Sequence, residues 1–360
     1  MHKNVQKNLS ATGSSGIEGL SFGRYCRCSD MKEGPLSMPP TSGRCSKLEY
    51  IVSGLNMMDV IRFPDGTTSA PQMGGIPLYG YCGMRPYTRS ICYLARVGKD
   101  FFDTYGQWFA KNKVDRSGLL FVSEQTPYNI ITYRPDESVA AWDFFTGNWA
   151  DSGFWRPHPE DLDAVIGPDT KGFYICGAPL PDPVWARLLA LREQYHFKIM
   201  WEPNGIHTHS TDRENILELL PQLDMASFNL TESKEIFGLD SEQEVLDFLR
   251  RQPCPLILLR IGARGMYTIG GGRICLVPSA PLPEGQQVVD VTGCGNSSTA
   301  AACVAWCQQN DLAMTGIMAN IASNYNLRQK GPYPLFDSQL EEQCRIWARQ
   351  LYQKGAYQYL

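Results

Sequence analysis

The sequence predicts an α/β fold: a three-layer αβα sandwich with a mostly parallel central sheet and a small β lid. Beyond about residue 170, short apolar segments alternate with longer amphipathic segments, which indicates parallel strands joined by helical crossovers. Earlier in the chain, several strand-like segments follow one another closely and indicate a small sheet beside the main domain. Near residue 293 a glycine-containing loop precedes an alanine-rich run, a pattern typical of a loop that opens a helix.

The strands of the main sheet are expected where apolar residues run together, because a strand covered on both faces has no polar side. Helices are expected between them, and Ser241 with Glu244 forms a capping box that opens one of these helices. The expected main strands are 48–54, 172–176, 197–201, 225–228, 256–260 and 266–269, and the expected helices are 183–195, 212–220, one from 231, and 241–252. Short strands for the lid are expected at 59–63, 119–122, 129–133 and 139–145.

The character of the chain changes at about residue 47. Residues 1–47 are rich in Ser, Gly, Lys and Pro and show little apolar periodicity, so they are predicted to form a disordered N-terminal tail. A targeting peptide is less favoured, since acidic residues interrupt this basic, Ser-containing start. Residues 48–360 are expected to form the folded domain, with lid strands from about 55–76 and 119–145.

Composition and charge argue against several classes of partner. Lys and Arg number 33 against 37 Asp and Glu, giving a net charge of −4, and no dense basic run occurs, so no nucleic-acid partner is expected. No apolar run approaches the ~18 residues of a spanning helix, so no membrane partner is expected either. The 12 cysteines lie singly without a Cys-x-x-Cys pair, which indicates reduced thiols in a cytoplasmic protein rather than disulfides or a zinc site.

Residues 290–296 are the most informative loop of the sequence. A β-branched stretch ending at Val289 is expected to lead the chain, as a strand, into a turn where Gly293 and Gly295 can take positive φ. The helix that opens behind this turn presents unpaired N–H groups and the positive end of its dipole, which together favour an anion. A tight turn without any ligand explains the two glycines about equally well.

The segment Asp290-Val-Thr-Gly-Cys-Gly-Asn296 resembles the C-terminal signature of the ribokinase-like (PfkB) family of sugar and nucleoside kinases, which typically reads Asp-x-x-Gly-Ala-Gly-Asp. The resemblance implies a ribokinase-like fold and a catalytic loop formed by Gly293, Cys294, Gly295 and Asn296. In that family the last Asp takes the proton of the acceptor hydroxyl, and Asn296 holds its place here. A neutral amide cannot accept that proton. The resemblance therefore extends to phosphate binding and leaves the identity of the base open.

Two further motifs resemble the acceptor side of the family. Asp59, at the end of Gly54-Leu-Asn-Met-Met-Asp59, matches the Asp that binds acceptor hydroxyls. Gly74 and Gly75 resemble the N-terminal Gly-Gly signature that closes on the sugar, although the family's usual Asn shortly afterwards is not evident. Asp290 is a further substrate-binding candidate, and both Asp290 and Asp59 are candidates to replace the missing base. Turns explain the same residues without any ligand.

Later segments resemble the nucleotide side of the family. Trp201-Glu-Pro-Asn204 is similar to the Asp-x-Asn element that follows a central strand, and Asn229-Leu-Thr-Glu232 matches the Asn-x-x-Glu motif whose Glu holds Mg²⁺ through water. Residues 260–265 resemble a Gly-x-x-Gly turn beside the nucleotide. A helix cap and a strand-to-strand turn are the alternatives. The resemblance thus implies Glu232 as metal ligand and, for the nucleotide, Asn229, Arg260, Gly262, Gly265, Thr292 and Asn320.

Together these motifs cover roughly residues 48–345 in the order of the family. The resemblance implies a kinase that uses ATP and Mg²⁺ to phosphorylate a hydroxyl of a small-molecule sugar or nucleoside. Two alternatives remain open: a catalytically impaired pseudokinase that binds nucleotide or metabolite and acts through a partner, and a binding protein that holds a phosphorylated ligand on the glycine loop. An exposed edge of the lid sheet would allow a homodimer.

Overall fold

A ten-stranded sheet forms the centre of the computed structural model, which describes residues 48–135 and 139–360. The expected disordered tail, residues 1–47, lies outside the described residues. Within those described residues the strands are β1 (Tyr50–Ser53), β2 (Met58–Arg62), β3 (Ile91–Gly98), β4 (Leu119–Ser123), β5 (Tyr128–Tyr133), β6 (Val139–Phe144), β7 (Gly172–Gly177), β8 (Lys198–Pro203), β9 (Met225–Asn229), β10 (Leu256–Arg260), β11 (Gly265–Gly270), β12 (Arg273–Pro278) and β13 (Gln358–Tyr359). The helices are α1 (Ile76–Met84), α2 (Phe101–Asn112), α3 (Pro159–Val165), α4 (Val184–Tyr195), α5 (Arg213–Leu219), α6 (Leu230–Phe237), α7 (Glu242–Leu249), α8 (Cys294–Cys307), α9 (Leu312–Asn326) and α10 (Ser338–Gln353).

The strand order across the main sheet is β13-β12-β11-β10-β9-β8-β7-β1-β3-β4. From β4 to β10 all neighbours are parallel, whereas β11, β12 and β13 are added antiparallel at one edge. Parallel neighbours require crossover connections, and the helices between β7 and β10 supply them. The alternation of strands and helices expected beyond residue 170 is therefore confirmed.

Two apolar cores separate the sheet from helices on its two faces. One core joins the sheet to α1, α2, α8, α9 and α10, and the other joins it to α3, α4, α5, α6 and α7. Strand β10 shows that both faces of the sheet are covered, because its consecutive residues from Leu256 to Leu259 point to alternate faces and are all at most 1% exposed. The predicted three-layer αβα sandwich is confirmed. In the part of the chain that the structure describes, no helix has both the length and the apolar character needed to cross a bilayer.

The lid is a separate three-stranded sheet in the order β2-β5-β6. Strands β2 and β5 are parallel, and β5 and β6 are antiparallel. On its other edge β2 forms isolated antiparallel bridges to Gln72 and Thr68, so the chain turns back along β2 after residue 63. The expected lid segment 119–145 is divided, however, because β4 pairs with β3 at the edge of the main sheet.

The strand expected to end at Val289 is not formed. Val288, Val289 and Val291 are 54%, 44% and 68% exposed, and residues 279–293 contain neither helix nor strand. β-Branched side chains favour a strand when neighbours cover them, and nothing covers these. The glycine loop is instead reached from β12 by an extended connection.

Helix α1 crosses α8 in close contact, which requires glycine on α1. A Cβ at Gly83 would lie 2.0 Å from the Ser297 carbonyl oxygen, and a Cβ at Gly80 would lie 2.5 Å from Val52 Cγ2 of the sheet. The Ser297 hydroxyl also donates a hydrogen bond to the Tyr79 carbonyl oxygen at 3.0 Å. The crossing thereby fixes the first turn of α8 against the middle of α1.

Gly83→Ala is expected to lower the free energy of unfolding by about 1–3 kcal/mol, because the added methyl group must push two backbones apart. Gly106→Ala is the matched control: Gly106 is also helical, but a Cβ there would meet Phe102 Cβ at an ordinary 3.4 Å. It should raise stability by about 0.5–1 kcal/mol through helix propensity. Urea unfolding measures both changes. Equal effects of the two substitutions would contradict the tight crossing.

Candidate functional site

A cleft of about 530 Å³ opens between the lid and the carboxyl ends of the central strands. Ligands of parallel α/β sheets bind at this edge. The cleft brings together residues from the lid, from α1, from the segment after β8 and from the start of α8. Its lining residues are Leu55, Met57, Asp59, Gly75, Ile76, Tyr79, Asn129, Trp142, Trp149, Ser152, Arg156, Asn204, Gly205, Ile206, Thr292, Gly293 and Asn296.

The glycine loop places the start of α8 at this cleft. Gly293 caps the helix with φ 75°, and the ring of Tyr79 lies so close that a Cβ at Gly293 would be 2.0 Å from Tyr79 Cγ. The Cys294 N–H donates to the Val291 carbonyl at 3.2 Å, whereas within the described chain the amides of Gly295 and Asn296 have no acceptor. Free amides at a helix start are the donors that an anion needs. The expected anion-binding loop therefore has the required backbone.

Arg260 lies directly behind this loop. A Cβ at Gly295 would be 2.1 Å from Arg260 Nη1, so only glycine leaves room for the guanidinium. Arg260 Nη2 pairs with Glu202 Oε1 at 2.6 Å, and the two side chains are 14% and 6% exposed. Burial lowers the pKa of Arg260, but the nearby Glu202 and Glu232 carboxylates outweigh it and leave that pKa raised. A buried ion pair, with Glu232 nearby, is therefore held under the anion loop.

A chain of hydrogen bonds connects Asn296 to the Arg260 pair. The Tyr174 hydroxyl donates to Glu202 Oε2 at 2.7 Å and accepts from Asn296 Nδ2 at 3.0 Å. Burial, and then Glu202, raise the pKa of Tyr174, so its single proton stays in place. Because that proton points at Glu202, the Tyr174 oxygen can only accept from residue 296. An amide satisfies it, whereas a carboxylate would not.

The acceptor-side residues Asp59 and Asn129 line the same cleft as the glycine loop. The Asn129 amide donates a hydrogen bond to the Asp59 carboxylate. Burial raises the pKa of Asp59 to about 6; the Asn129 hydrogen bond opposes this shift, and Asp290 adds to it. The Asp290 carboxylate itself accepts the Thr292 N–H at 2.9 Å, so it shapes the loop. The structure thus brings Asp59, Asn129 and the loop residues Thr292, Gly293 and Asn296 to one cleft.

The Gly74 and Gly75 pair allows the lid to meet the body of the protein. A Cβ at Gly74 would be 2.5 Å from Asp59 Oδ2, and a Cβ at Gly75 would be 2.7 Å from the Met57 amide nitrogen. Gly75 also has φ 88°, caps α1 and lines the cleft. Both glycines are therefore needed for close packing, Gly74 beside Asp59 and Gly75 beside the backbone of Met57, and Gly75 in addition lines the cleft.

On the expected nucleotide side, Asn229 and Glu232 begin α6. Asn229 Oδ1 accepts the Glu232 N–H at 2.8 Å, the geometry of a helix cap. Among the described residues Glu232 Oε2 has no hydrogen-bond partner although it is buried. Burial raises the pKa of Glu232, Arg260 opposes the shift, and Glu202 adds to it. Glu232 therefore belongs to the same charge cluster as Arg260 and retains a free oxygen.

The remaining nucleotide candidates differ in how open they are. Gly262 has φ 65° with free space beside it, whereas a Cβ at Gly265 would lie 2.2 Å from the Val277 carbonyl oxygen. Asn320 Nδ2 donates to the carbonyls of Val277 and Pro278 at 3.0 and 2.9 Å. Gly265 and the Asn320 amide thus hold β12 against its neighbours. Of these three residues, only Gly262 offers backbone to a nucleotide.

Cys294 fills space in the loop. Its sulfur donates to the Ser323 carbonyl at 3.7 Å and lies 3.6 Å from Asn326 Nδ2. Burial raises the pKa of the thiol. The thiol therefore stays protonated, and its place in the predicted catalytic loop is structural.

Three residues of the site were not identified from the sequence: Asn129, Arg156 and Tyr174. Asn129 and Tyr174 lie inside strands, where only the pairing of strands brings them to Asp59 and Glu202. Arg156 lies in a loop between the lid and α3. The sequence offered a signal only for Tyr174, which is a polar-tipped residue within an apolar strand. Many tyrosines in protein cores share that pattern, so it did not identify Tyr174 as a site residue.

Arg260→Met is expected to lower the free energy of unfolding by about 3–5 kcal/mol, because it leaves Glu202 buried without its counter-charge. The control is Arg264→Met, which removes a pair with Glu242 in which the arginine is 58% exposed. That change should cost less than about 1 kcal/mol. Urea unfolding at neutral pH distinguishes the two. A small loss for Arg260→Met would show that the cluster does not need its cation.

Comparison with known proteins identifies the family. The model of the pfkB family of carbohydrate kinases matches residues 82–338. Similar solved structures include adenosine kinase from Sinorhizobium meliloti, with 18% identity, coverage of 84% of this chain and 99% of that chain, and a TM-score of 0.64. Ribokinase from Arabidopsis thaliana is 16% identical, with coverage of 84% of this chain and 99% of that chain and a TM-score of 0.64. Fructokinase from Vibrio cholerae O395 is 18% identical, with coverage of 82% of this chain and 98% of that chain and a TM-score of 0.64.

The comparison with curated proteins finds no match. The solved structures confirm the predicted ribokinase-like fold at low sequence identity. The chain belongs to the pfkB family of carbohydrate kinases.

Proposed function

We propose that this chain is an ATP-dependent phosphotransferase that transfers the γ-phosphate to a hydroxyl of a sugar or nucleoside. The observation that carries the proposal is the shared cleft of Asp59, Asn129 and the loop from Thr292 to Asn296. The similar structures support it: the Arabidopsis thaliana ribokinase is complexed with ribose and ATP, and the Vibrio cholerae O395 fructokinase with fructose, ADP and calcium ion.

The transfer uses groups that the cleft provides. The acceptor oxygen attacks the γ-phosphorus, and the bond from that phosphorus to the oxygen that bridges it to the β-phosphate breaks. ADP leaves with the electron pair of the broken bond on that oxygen. The free amides of Gly295 and Asn296, at the positive end of the α8 dipole, stabilise negative charge on the transferred group. Such electrostatic support and alignment supply most of the catalysis in phosphoryl transfer.

The proton of the acceptor hydroxyl has to leave, and Asn296 cannot take it. We assign this role to Asp59, because it lines the cleft and its pKa of about 6 makes it a carboxylate at neutral pH that still has useful basicity. Asp290 is the less favoured candidate, since its carboxylate holds the Thr292 amide. Asn296 Oδ1 is turned away from Tyr174 and can accept a hydrogen bond that orients the hydroxyl.

Magnesium fits the site through Glu232. Within the described residues no cluster of three metal-ligating side chains exists, but Mg²⁺ needs only one or two carboxylates when water and phosphate complete its shell. The unpartnered Glu232 Oε2 provides one. When bound, the ion would neutralise charge on the ATP phosphates. Glu232 would hold it, and Arg260 would limit repulsion between Glu232 and Glu202.

Two expectations about the cellular setting stay predictions. We propose a cytoplasmic location because the described cysteines are all free thiols, as reducing conditions favour. A homodimer through the lid would use strand β6, whose second edge has no partner among the described strands.

The wild-type protein is expected to release ADP from Mg-ATP only when a sugar or nucleoside acceptor is added. Asn296→Asp restores a base, and it should raise acceptor-dependent turnover by up to about 10²-fold. The gain should be larger with Tyr174→Phe added, because Tyr174 cannot donate to Glu202 and to a new carboxylate at once. A coupled ADP assay over a panel of sugars and nucleosides measures these rates.

Asp143→Asn is the control for that assay, since Asp143 is exposed on the lid strand β6 outside the cleft. It should leave turnover unchanged. Binding of ATP and acceptor without ADP release, in the wild type and in both variants, would contradict the kinase proposal and would instead fit a non-catalytic binding protein.

Asp59→Asn is expected to stabilise the free protein at pH 7. The Asp59 pKa rises from 3.8 to about 6 on folding, so the folded state loses stability as pH increases from about 4 to 6. Asp59→Asn removes the carboxyl and with it this loss in the free energy of unfolding, which amounts to about 3 kcal/mol at pH 7. At pH 4 the variant and the wild type should be nearly equal. Urea unfolding at both pH values, with Asp143→Asn as control, checks the sign; a pH-independent difference would refute it.

A further inference from the structure

Arg156 lines the acceptor cleft without a counter-charge. It follows the turn Trp149–Trp155 that connects the lid to the main domain. Its Nη2 donates to the Ser152 hydroxyl at 3.1 Å, while Nε is buried and has no hydrogen-bond partner among the described residues. Burial lowers the pKa of Arg156, and Asp182 opposes this shift without reaching ion-pair distance. The side chain therefore has unused hydrogen-bonding capacity.

Three other buried arginines of this protein, unlike Arg156, are paired with carboxylates. Arg85, Arg96 and Arg260 are 8%, 10% and 14% exposed, and each faces a carboxylate: Glu341, Asp161 and Glu202 respectively. Burying a guanidinium costs free energy unless an anion compensates it. For Arg156 no such carboxylate lies within ion-pair distance in the part of the chain that is described. An anion from outside the chain would complete the pattern.

The other polar groups of the cleft define how such a ligand would lie. Asp59 would repel an anionic group and accept from a hydroxyl, whereas Arg156 would attract the anion. Asn204 also lines the cleft, and its buried Oδ1 has no donor among the described residues, so it can accept from a further hydroxyl. Trp149 and Leu55 cover the apolar parts of the ligand. A volume of about 530 Å³ is in the range of small-metabolite sites.

We infer that the acceptor is an anionic polyol, a sugar acid or a sugar phosphate, whose carboxylate or phosphate group is bound by Arg156. The inference rests on the proposed function and names its substrate class. A guanidinium can bind either group through two parallel N–H donors, so the common chemistry is a pair of anionic oxygens. The anionic group is not changed in the reaction; it holds the opposite end of the acceptor while the hydroxyl reacts near Asp59.

The test measures binding to the full-length protein by calorimetry. The probes are fructose, adenosine, gluconate and fructose 6-phosphate, with ATP titrated separately. We expect gluconate or fructose 6-phosphate to bind more tightly than fructose and adenosine, and the tighter of the two distinguishes carboxylate from phosphate. Arg156→Met should lower the affinity for that anionic ligand by about 10- to 100-fold, the usual loss for a hydrogen-bonded charge contact. Arg156→Lys should retain part of the affinity.

Arg62→Met serves as the matched control, because Arg62 is an exposed arginine of the lid strand β2. It should leave all affinities unchanged. Thermal unfolding checks the fold of Arg156→Met, which should not be less stable than the wild type since Arg156 has no ion-pair partner in the chain. If neither anionic probe binds the wild type more tightly than the neutral probes, or if Arg156→Met leaves their affinities unchanged, the inference is overturned. Acceptor-dependent ADP release in the coupled assay then shows whether the kinase proposal itself still holds, because ATP binding alone would also fit a non-catalytic protein.

Discussion

The guanidinium of Arg260 has to stay paired with Glu202, because both groups are buried beneath the first turn of α8. This pair occupies the space that a side chain at position 295 would need, so it dictates glycine in the loop. It also fixes Glu202, which in turn orients Tyr174 and, through Tyr174, the amide of Asn296. The anion loop therefore depends on charges supplied by β8 and β10 as much as on its own sequence.

This arrangement gives a physical reason for Asn at position 296. A carboxylate there would compete with Glu202 for the single proton of Tyr174 and would place a second negative charge near it. The amide avoids both costs, and its carbonyl oxygen stays available to a ligand. The amide at position 296 is thus matched by Tyr174, Glu202 and Arg260.

The sequence predicted the strands from β7 to β10 well, because a strand covered on both faces needs an unbroken apolar run. It did not predict α1, because glycines and aromatic residues obscure the pattern of a helix that packs tightly against α8 and the sheet. The prediction of a strand ending at Val289 was wrong, because local β propensity does not show whether a partner strand exists. Asp59, Gly75 and the loop were predicted at the site; Asn129 and Arg156 were not, because only tertiary folding brings them there.

The position of Asp59 in the lid rather than in the main sheet has a consequence for water. Asp59 belongs to β2, whereas Gly295 and Asn296 belong to the body of the protein. With the roles proposed above, the base would stand on the lid sheet and the phosphate-binding amides on helix α8. Any movement of the lid relative to the main domain would change the distance between them, and water beside the phosphate would then find no base to activate it. This division would suppress futile hydrolysis of the phosphate donor until an alcohol is bound between them.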